Sequence, residues 1–307
     1  MIASNNVLGV FFLSQTGVGA LGNSFILVLY TITFFIGHRL RPIDLIITHL
    51  VFVNDLVLLS RGIPYTMSAF GLLNFMNDLI CKFFIYLHRV ARGLSLCTTC
   101  LLGSVQAITI SSGSFRGGQL KTQVPKYIFL FILFCWTFHL LTNYILLEHI
   151  SNPKTSKNVI KIIDFGFCTF AFLTSVNISL YIFVISLFDV VCMAIMVWTG
   201  GYMILFLCRH DQRIQYIHSS KIPPRGSPKT RATQTILPLV SFFVFFYSLN
   251  SIFSWYTHHI NLFPWMVNYS GFLAACSPAF SPFVLIINDS KVSMYFLTLW
   301  RMIKPQS

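Results

Sequence analysis

The chain has 307 residues, of which 55% are hydrophobic and 9% charged, with 32 Phe among them. That leaves too little polar surface to clothe an ordinary water-soluble domain, so the solvent is largely lipid. The formal net charge of +13 would suggest nucleic acid in a soluble protein, but here Lys and Arg fall on alternate connectors between apolar stretches, a membrane pattern that excludes nucleic acid as a partner.

A helix needs about 20 apolar residues to cross the hydrocarbon core. Seven stretches qualify in chain order, at approximately 8–36, 43–70, 79–110, 127–147, 184–208, 232–257 and 266–288. Only short connectors remain, so one seven-helix bundle over 1–307 is expected, with no separate domain and no repeat of 20 to 50 residues. Arg39 and Arg41 lie in the first connector, Arg116, Lys121 and Lys126 in the third, Arg209, Arg213, Lys221, Arg225, Lys229 and Arg231 in the fifth, and Lys291, Arg301 and Lys304 in the tail. The opposite side holds Lys154, Lys157 and Lys161. The positive-inside rule therefore predicts an external amino terminus and a cytoplasmic carboxyl terminus. With no basic n-region and no small-residue cleavage site, the first span reads as a retained signal anchor. The softest boundary is 165–208, which is apolar enough for two crossings; charge asymmetry favours one.

In the first span, Gly17-Val18-Gly19-Ala20-Leu21-Gly22 spells a dinucleotide fingerprint, but Arg41 and Pro42 stand where the acidic residue belongs. Close helix packing through small residues is the expectation instead. Asn54 and Asp55, in the middle of the second span, need polar partners there and suggest a packing node within reach of Asn23.

The third span carries most of the chemistry. Cys81 begins it at its outer end, and Cys168 lies in the external connector before the fifth span. Both face an oxidising compartment, which predicts a disulfide pinning that connector over the bundle mouth; two unrelated thiols are the alternative. His88, Arg89 and Arg92 sit roughly 10 to 17 Å below Cys81. At about 100° per residue, His88, Arg92, Ser95 and Thr99 project close to the direction of Cys81, whereas Arg89 turns away. If the tethered loop lies over the bundle axis, this polar stripe faces an interior pocket, with Asp189 of the fifth span as a candidate counter-charge for Arg92. The rival reading is snorkelling or a purely structural pair. Cys97-Thr98-Thr99-Cys100 imitates a redox pair but lies within an apolar helix, so two buried thiols are expected. Asn177-Ile178-Ser179 is a candidate glycosylation sequon in an external loop. Pro64, Pro238, Pro278 and Pro282 interrupt the second, sixth and seventh spans, where neighbours must satisfy the freed backbone groups.

The block from Leu87-His88-Arg89-Val90-Ala91-Arg92-Gly93 to Cys100-Leu101-Leu102, continued by Gln106-Ala107-Ile108-Thr109-Ile110-Ser111, strongly resembles the vomeronasal type 1 receptors. Thr48-His49-Leu50, Leu58-Leu59-Ser60-Arg61-Gly62-Ile63-Pro64, Pro125-Lys126-Tyr127, Asp164-Phe165-Gly166-Phe167-Cys168, Met196-Val197-Trp198, Thr230-Arg231-Ala232-Thr233-Gln234-Thr235-Ile236-Leu237 and Ser281-Pro282-Phe283-Val284-Leu285 extend the likeness over nearly the whole chain. The resemblance implies an all-α membrane protein, a seven-transmembrane bundle of the G-protein-coupled receptor type. It implies a plasma-membrane receptor on vomeronasal sensory neurons, without cofactor, that detects pheromones or other small chemosignals and signals through heterotrimeric G proteins of the inhibitory class. Ser112 and Gly117 stand where the family has proline and tryptophan, Asn158 lacks the family's sequon, and Pro238 replaces a leucine.

His88, Arg92, Ser95, Thr99 and Asp189 are therefore the candidate ligand contacts, and Arg116, Arg209, Arg213 and Arg231 the candidate G-protein-facing residues. A bitter-taste-type receptor is the nearest rival in the same architecture. A small transporter or channel would show related halves or broken helices in corresponding positions, and neither is visible. No nucleophile, base and orienting group converge, so no enzyme and no metal site are expected.

Overall fold

In the computed structural model the elements run α1 (Ile2–Phe35), α2 (Pro42–Ala69), α3 (Asp78–Ser111), α4 (Gly118–His149), β1 (Ile150–Ser151), β2 (Lys161–Asp164), β3 (Thr169–Phe172), α5 (Val176–Ile217), α6 (Val240–Asn250) and α7 (Pro264–Asn288). The structure describes residues 2–36, 41–72, 77–111, 118–151, 161–164, 169–172, 176–217, 237–238, 240–250, 252 and 264–288.

The two ends of α2 show how local chemistry sets these boundaries. At its start Pro42 supplies a fixed φ, and the Asp44 carboxylate accepts from the Arg41 backbone N–H at 3.0 Å while pairing with the Arg41 guanidinium at 2.8 Å. Arg41 is thus a helix cap as well as a charge beside the membrane. At the other end Gly71 takes φ +73°, which a side chain would resist. Leu72 N–H then reaches Met67 O at 2.8 Å and Gly71 N–H reaches Ser68 O at 3.0 Å, closing the last turn.

Most helices outrun the apolar stretches that predict them. Hydropathy marks the thickness of the lipid, whereas backbone hydrogen bonding continues beyond it. α5 is the clearest case: its 42 residues span about 63 Å, twice the hydrocarbon core. It is a single helix, so the ambiguous region holds one crossing, preceded by a strand. Gly9–Phe35, Pro42–Ala69, Pro125–Tyr144 and Phe183–Phe206 are each long and apolar enough to cross a membrane. α6 and α7 are apolar over the shorter stretches Val240–Asn250 and Gly271–Ile287. Between α4 and α5 the strands pair antiparallel in the order β1-β3-β2, an addition to the helical frame that the sequence did not announce.

α3 is the enclosed helix. It packs against α2, α4 and α5, and Gly93 to Cys100 are buried without a break. α7 returns to α1 and α2, closing the bundle. By contrast α4 and α5 present Phe129, Leu133, Leu141, Val190, Val197 and Trp198 outward, an apolar belt suited to lipid.

The glycine run acts through packing. A Cβ on Gly19 would come within 2.9 Å of Ala279 Cα, and one on Gly22 within 2.8 Å of Pro282 Cγ, so these two positions let α7 lie directly on α1. Gly17 meets nothing within 4 Å and plays no such part. Cys97 and Cys100 are free buried thiols, as expected, and sit in the core with Cys135 of α4 and Cys192 of α5.

A three-helix rivet crosses the centre. Trp136 Nε1 of α4 donates to His49 Nε2 of α2 at 2.9 Å, and His49 Nδ1 lies 3.0 Å from Thr98 Oγ1 of α3. An indole only donates, so His49 is neutral with its proton on Nδ1, and the Thr98 hydroxyl donates in turn to Leu94 O at 2.6 Å. Trp136→Phe removes the donor and leaves Nε2 without one. The expected cost is about 1 kcal/mol, read as a lowered unfolding midpoint of the detergent-solubilised protein; an unchanged midpoint would show that the rivet is dispensable.

Candidate ligand-binding site

A small cavity lies between α2, α3, α6 and α7, lined by Val57, Arg92, Ser95, Phe243, Phe246, Tyr247, Asn250, Leu273, Ala274, Ser277 and Pro278. It encloses about 20 Å³, room for little more than one water molecule. Arg92 dominates it. The guanidinium carbon stands 4.8 Å from the centroid of the Tyr247 ring, and the Tyr247 hydroxyl donates to Asp189 Oδ2 at 2.6 Å. A desolvated cation over an aromatic face is stabilised by the ring quadrupole, and the carboxylate held by the hydroxyl of the same ring balances its charge. Arg92 and Asp189 are therefore linked through Tyr247; no direct ion pair joins them among the described residues.

The predicted stripe divides. Arg92 and Ser95 line the cavity, and Asp189 reaches it through Tyr247. Ser95 Oγ is already committed, donating to Asn54 Oδ1 at 2.8 Å. Thr99 is fully buried below the cavity, and its hydroxyl donates to Ser95 O at 2.8 Å, so it is no lining residue. His88 turns to α2: its Nε2 lies 3.2 Å from Arg61 Nη1 and its Nδ1 3.5 Å from Ser60 Oγ. The helical-wheel estimate fails at these two positions because α3 is buried on every side, so sharing a direction with Cys81 does not imply sharing a cavity.

Tyr247 escaped the sequence reading, being one ring among Phe242, Phe243, Phe245 and Phe246, with nothing local to mark it. Arg61 carried a signal that was available: a cation well inside an apolar span. The expected polar node also splits. Asn54 Nδ2 donates to Ser281 Oγ at 2.8 Å, and Ser281 Oγ lies 3.3 Å from Asn23 Oδ1, joining α1, α2, α3 and α7. Asp55 stands apart, accepting from Ser24 Oγ of α1 at 3.0 Å.

On the bilayer side of the Asp189–Tyr247 pair, α5 and α6 form an apolar groove of about 890 Å³ that includes Met193, Val197, Trp198 and Leu205. Cys81 is buried and disulfide-bonded. Cys168, Arg116, Arg231, Ser112, Gly117 and Asn158 lie outside the described residues. Asn177 is in the first turn of α5 rather than in a loop, because the helix starts eight residues before the predicted span. Arg209 and Arg213 belong to the last turns of α5, and Pro238 falls in a helical turn just before α6.

The solved crystal structure of squid rhodopsin superposes with a TM-score of 0.76 at 15% identity, covering 100% of this chain and 84% of that one, which gives the fold of a rhodopsin-type receptor. Vomeronasal type-1 receptor 1 of Homo sapiens is 42% identical over 288 residues, 94% of this chain and 81% of that protein. Vomeronasal type-1 receptor 45 of Mus musculus is 38% identical over 255 residues, 81% of this chain and 78% of that protein. The model of the vomeronasal organ pheromone receptor family matches residues 6–298. On nearly its whole length, the chain belongs to the vomeronasal type-1 receptor family.

Proposed function

We propose that the chain takes a small pheromone or other chemosignal into the Arg92 cavity from outside the cell and activates a heterotrimeric G protein at the cytoplasmic helix ends. Family and fold make it a receptor of the G-protein-coupled type and not an enzyme. The observation that carries the ligand site is Arg92, held deep in the bundle over Tyr247 with Asp189 on the hydroxyl of that ring. The cavity is too small for an organic molecule as it stands, so a ligand enters by displacing Tyr247 or its Phe243 and Phe246 neighbours. Each of these sits on α6. A ligand that separates α6 from Arg92 binds one arrangement of the bundle better than the other and shifts the population toward it.

The orientation proposed is amino terminus outside, carboxyl terminus inside, at the plasma membrane of sensory neurons. The basic connectors support the topology and the resemblance supports the location and an inhibitory-class G protein. Arg209 and Arg213 at the end of α5, with Arg116 and Arg231, are the proposed G-protein-facing cations. Cys168, next to β3 in sequence, is the proposed partner of Cys81, tying the small sheet to the outer end of α3, and Asn177 is the proposed sugar acceptor.

The test is surface expression with a G-protein-linked calcium reporter, challenged with volatile and steroid-like chemosignal panels. Ligand-induced current that needs no G protein would contradict the reading. Arg92→Ala is expected to abolish the response at normal surface abundance, whereas loss of surface protein would make Arg92 structural. Tyr247→Phe keeps the ring under Arg92 but frees Asp189; a shift of about tenfold in half-maximal concentration is expected, and an unshifted curve would remove Asp189 from the site. Cys81→Ser is expected to reduce surface abundance, and undiminished trafficking would argue against the tether.

A further inference from the structure

We propose that Arg61 anchors a second binding site, an oxyanion-accepting subsite one turn of α2 outward from the Arg92 cavity, that takes a carboxylate, sulfonate, sulfate or phosphate group. Arg61 lies on α2, one turn beyond the cavity residue Val57 and about 12 Å inside the Ala69 end of the helix. A charge at that depth requires a counter-charge or strong acceptors. Arg92 has Asp189 through the Tyr247 hydroxyl; Arg61 has no equivalent among the described residues. Its carboxylate-free surroundings are specific: of the acidic side chains described, Asp44 pairs with Arg41, Asp55 takes Ser24 and Asp189 takes Tyr247.

The donors are also under-used. A guanidinium carries five N–H groups. Nη1 is 3.2 Å from His88 Nε2, and Nη2 reaches the Tyr65 hydroxyl at 3.4 Å. Nε is buried and has no acceptor among the described residues. His88 receives through Nε2 and is neutral, so it offers no negative charge, and the Tyr65 ring, 5.3 Å from the guanidinium carbon, offers only its quadrupole.

Only backbone closes the front of the fork, because the residue of α7 that faces it is a glycine. A Cβ on Gly271 of α7 would stand 2.9 Å from Arg61 Nη2 and 3.0 Å from Nε, so the planar donor face lies against bare backbone. Two oxygens of a carboxylate, sulfonate, sulfate or phosphate match this fork through paired N–H bonds. The chemistry is shared by a soluble ligand's anionic group and by the phosphate of an outer-leaflet lipid; the position between α2, α3 and α7, one turn from a cavity residue, favours the ligand. The proposal rests on the receptor reading only in taking the bundle mouth as the ligand's way in.

The test uses the full chain purified in uncharged maltoside micelles, with its thermal unfolding midpoint followed against hexanesulfonate and its neutral isostere hexanesulfonamide. A ligand that binds only the folded chain raises that midpoint with concentration. Hexanesulfonate is expected to act at a concentration at least tenfold lower than hexanesulfonamide, and Arg61→Gln to remove the difference. Arg61→Lys is expected to retain part of it, and Gly271→Ala, which displaces the guanidinium without removing its charge, to weaken it. If Arg61→Gln does not fold, Gly271→Ala decides the matter. Equal action of the two probes, or a sulfonate effect that survives these variants, would overturn the subsite. So would a rise in midpoint given only by added phosphatidylglycerol, since Arg61 would then serve lipid headgroups. No signalling enters this assay: a chain that binds sulfonate through Arg61 yet never engages a G protein fails the receptor reading and keeps this one.

Discussion

Pro282 breaks the hydrogen-bond ladder of α7, and Asn23 of α1 repairs it. A proline at this position lacks the N–H that would bond Pro278 O four residues back, leaving that carbonyl short of its helical donor inside the membrane. Asn23 Nδ2, itself fully buried, supplies the donor at 3.0 Å, with the Ser281 hydroxyl at 3.2 Å from the same carbonyl. The Asn23 contact requires α1 and α7 to lie nearly backbone to backbone, which Gly19 and Gly22 allow. From the same Asn23 the network passes through Ser281 to Asn54 and on to Ser95, so that α1, α2, α3 and α7 are registered at one level of the bundle. Ser95 is both the last member of that network and a wall of the cavity.

Above this layer, polarity is distributed unevenly. Arg92 is satisfied at one remove through an aromatic ring, an arrangement that a ligand can disturb without first breaking an ion pair. Tyr247 faces the cavity while its neighbours on α6 and α5 frame the groove open to the bilayer, so one phenol belongs to both compartments. Movement of that side chain would alter the interior cavity and the α5–α6 surface together, which is the coupling that the proposed function needs.

The bundle itself is legible in the sequence because apolar length is a direct consequence of bilayer thickness; orientation rests on the asymmetric placement of charge alone. Helix ends are less legible: α5 continues well beyond its apolar core, and that shift places Asn177 in a helix. The depth of Arg92 can be read from spacing, and so can the close packing at Gly19 and Gly22. What spacing does not give is the link between partners. Asp189 is a carboxylate that the fifth span offers to Arg92, yet the Tyr247 side chain that contacts both lies on α6, whose rotation the sequence leaves open. Likewise Asn54 and Asp55 are adjacent in sequence and so point about 100° apart on a helix, which is why one enters the four-helix network and the other meets Ser24. A periodic stripe predicts a shared direction; on a helix enclosed on all sides, His88 and Thr99 find neighbours other than a cavity.

The most direct measurement is a double-mutant cycle between Asn23→Leu and Pro282→Ala, read from the unfolding midpoint of the solubilised protein. In the Pro282→Ala background the backbone N–H at position 282 is restored and Pro278 O no longer depends on Asn23. Asn23→Leu is therefore expected to destabilise that background by about 1 kcal/mol less than it destabilises the native chain. Strictly additive losses would contradict the claim that Asn23 stands in for the donor that Pro282 lacks.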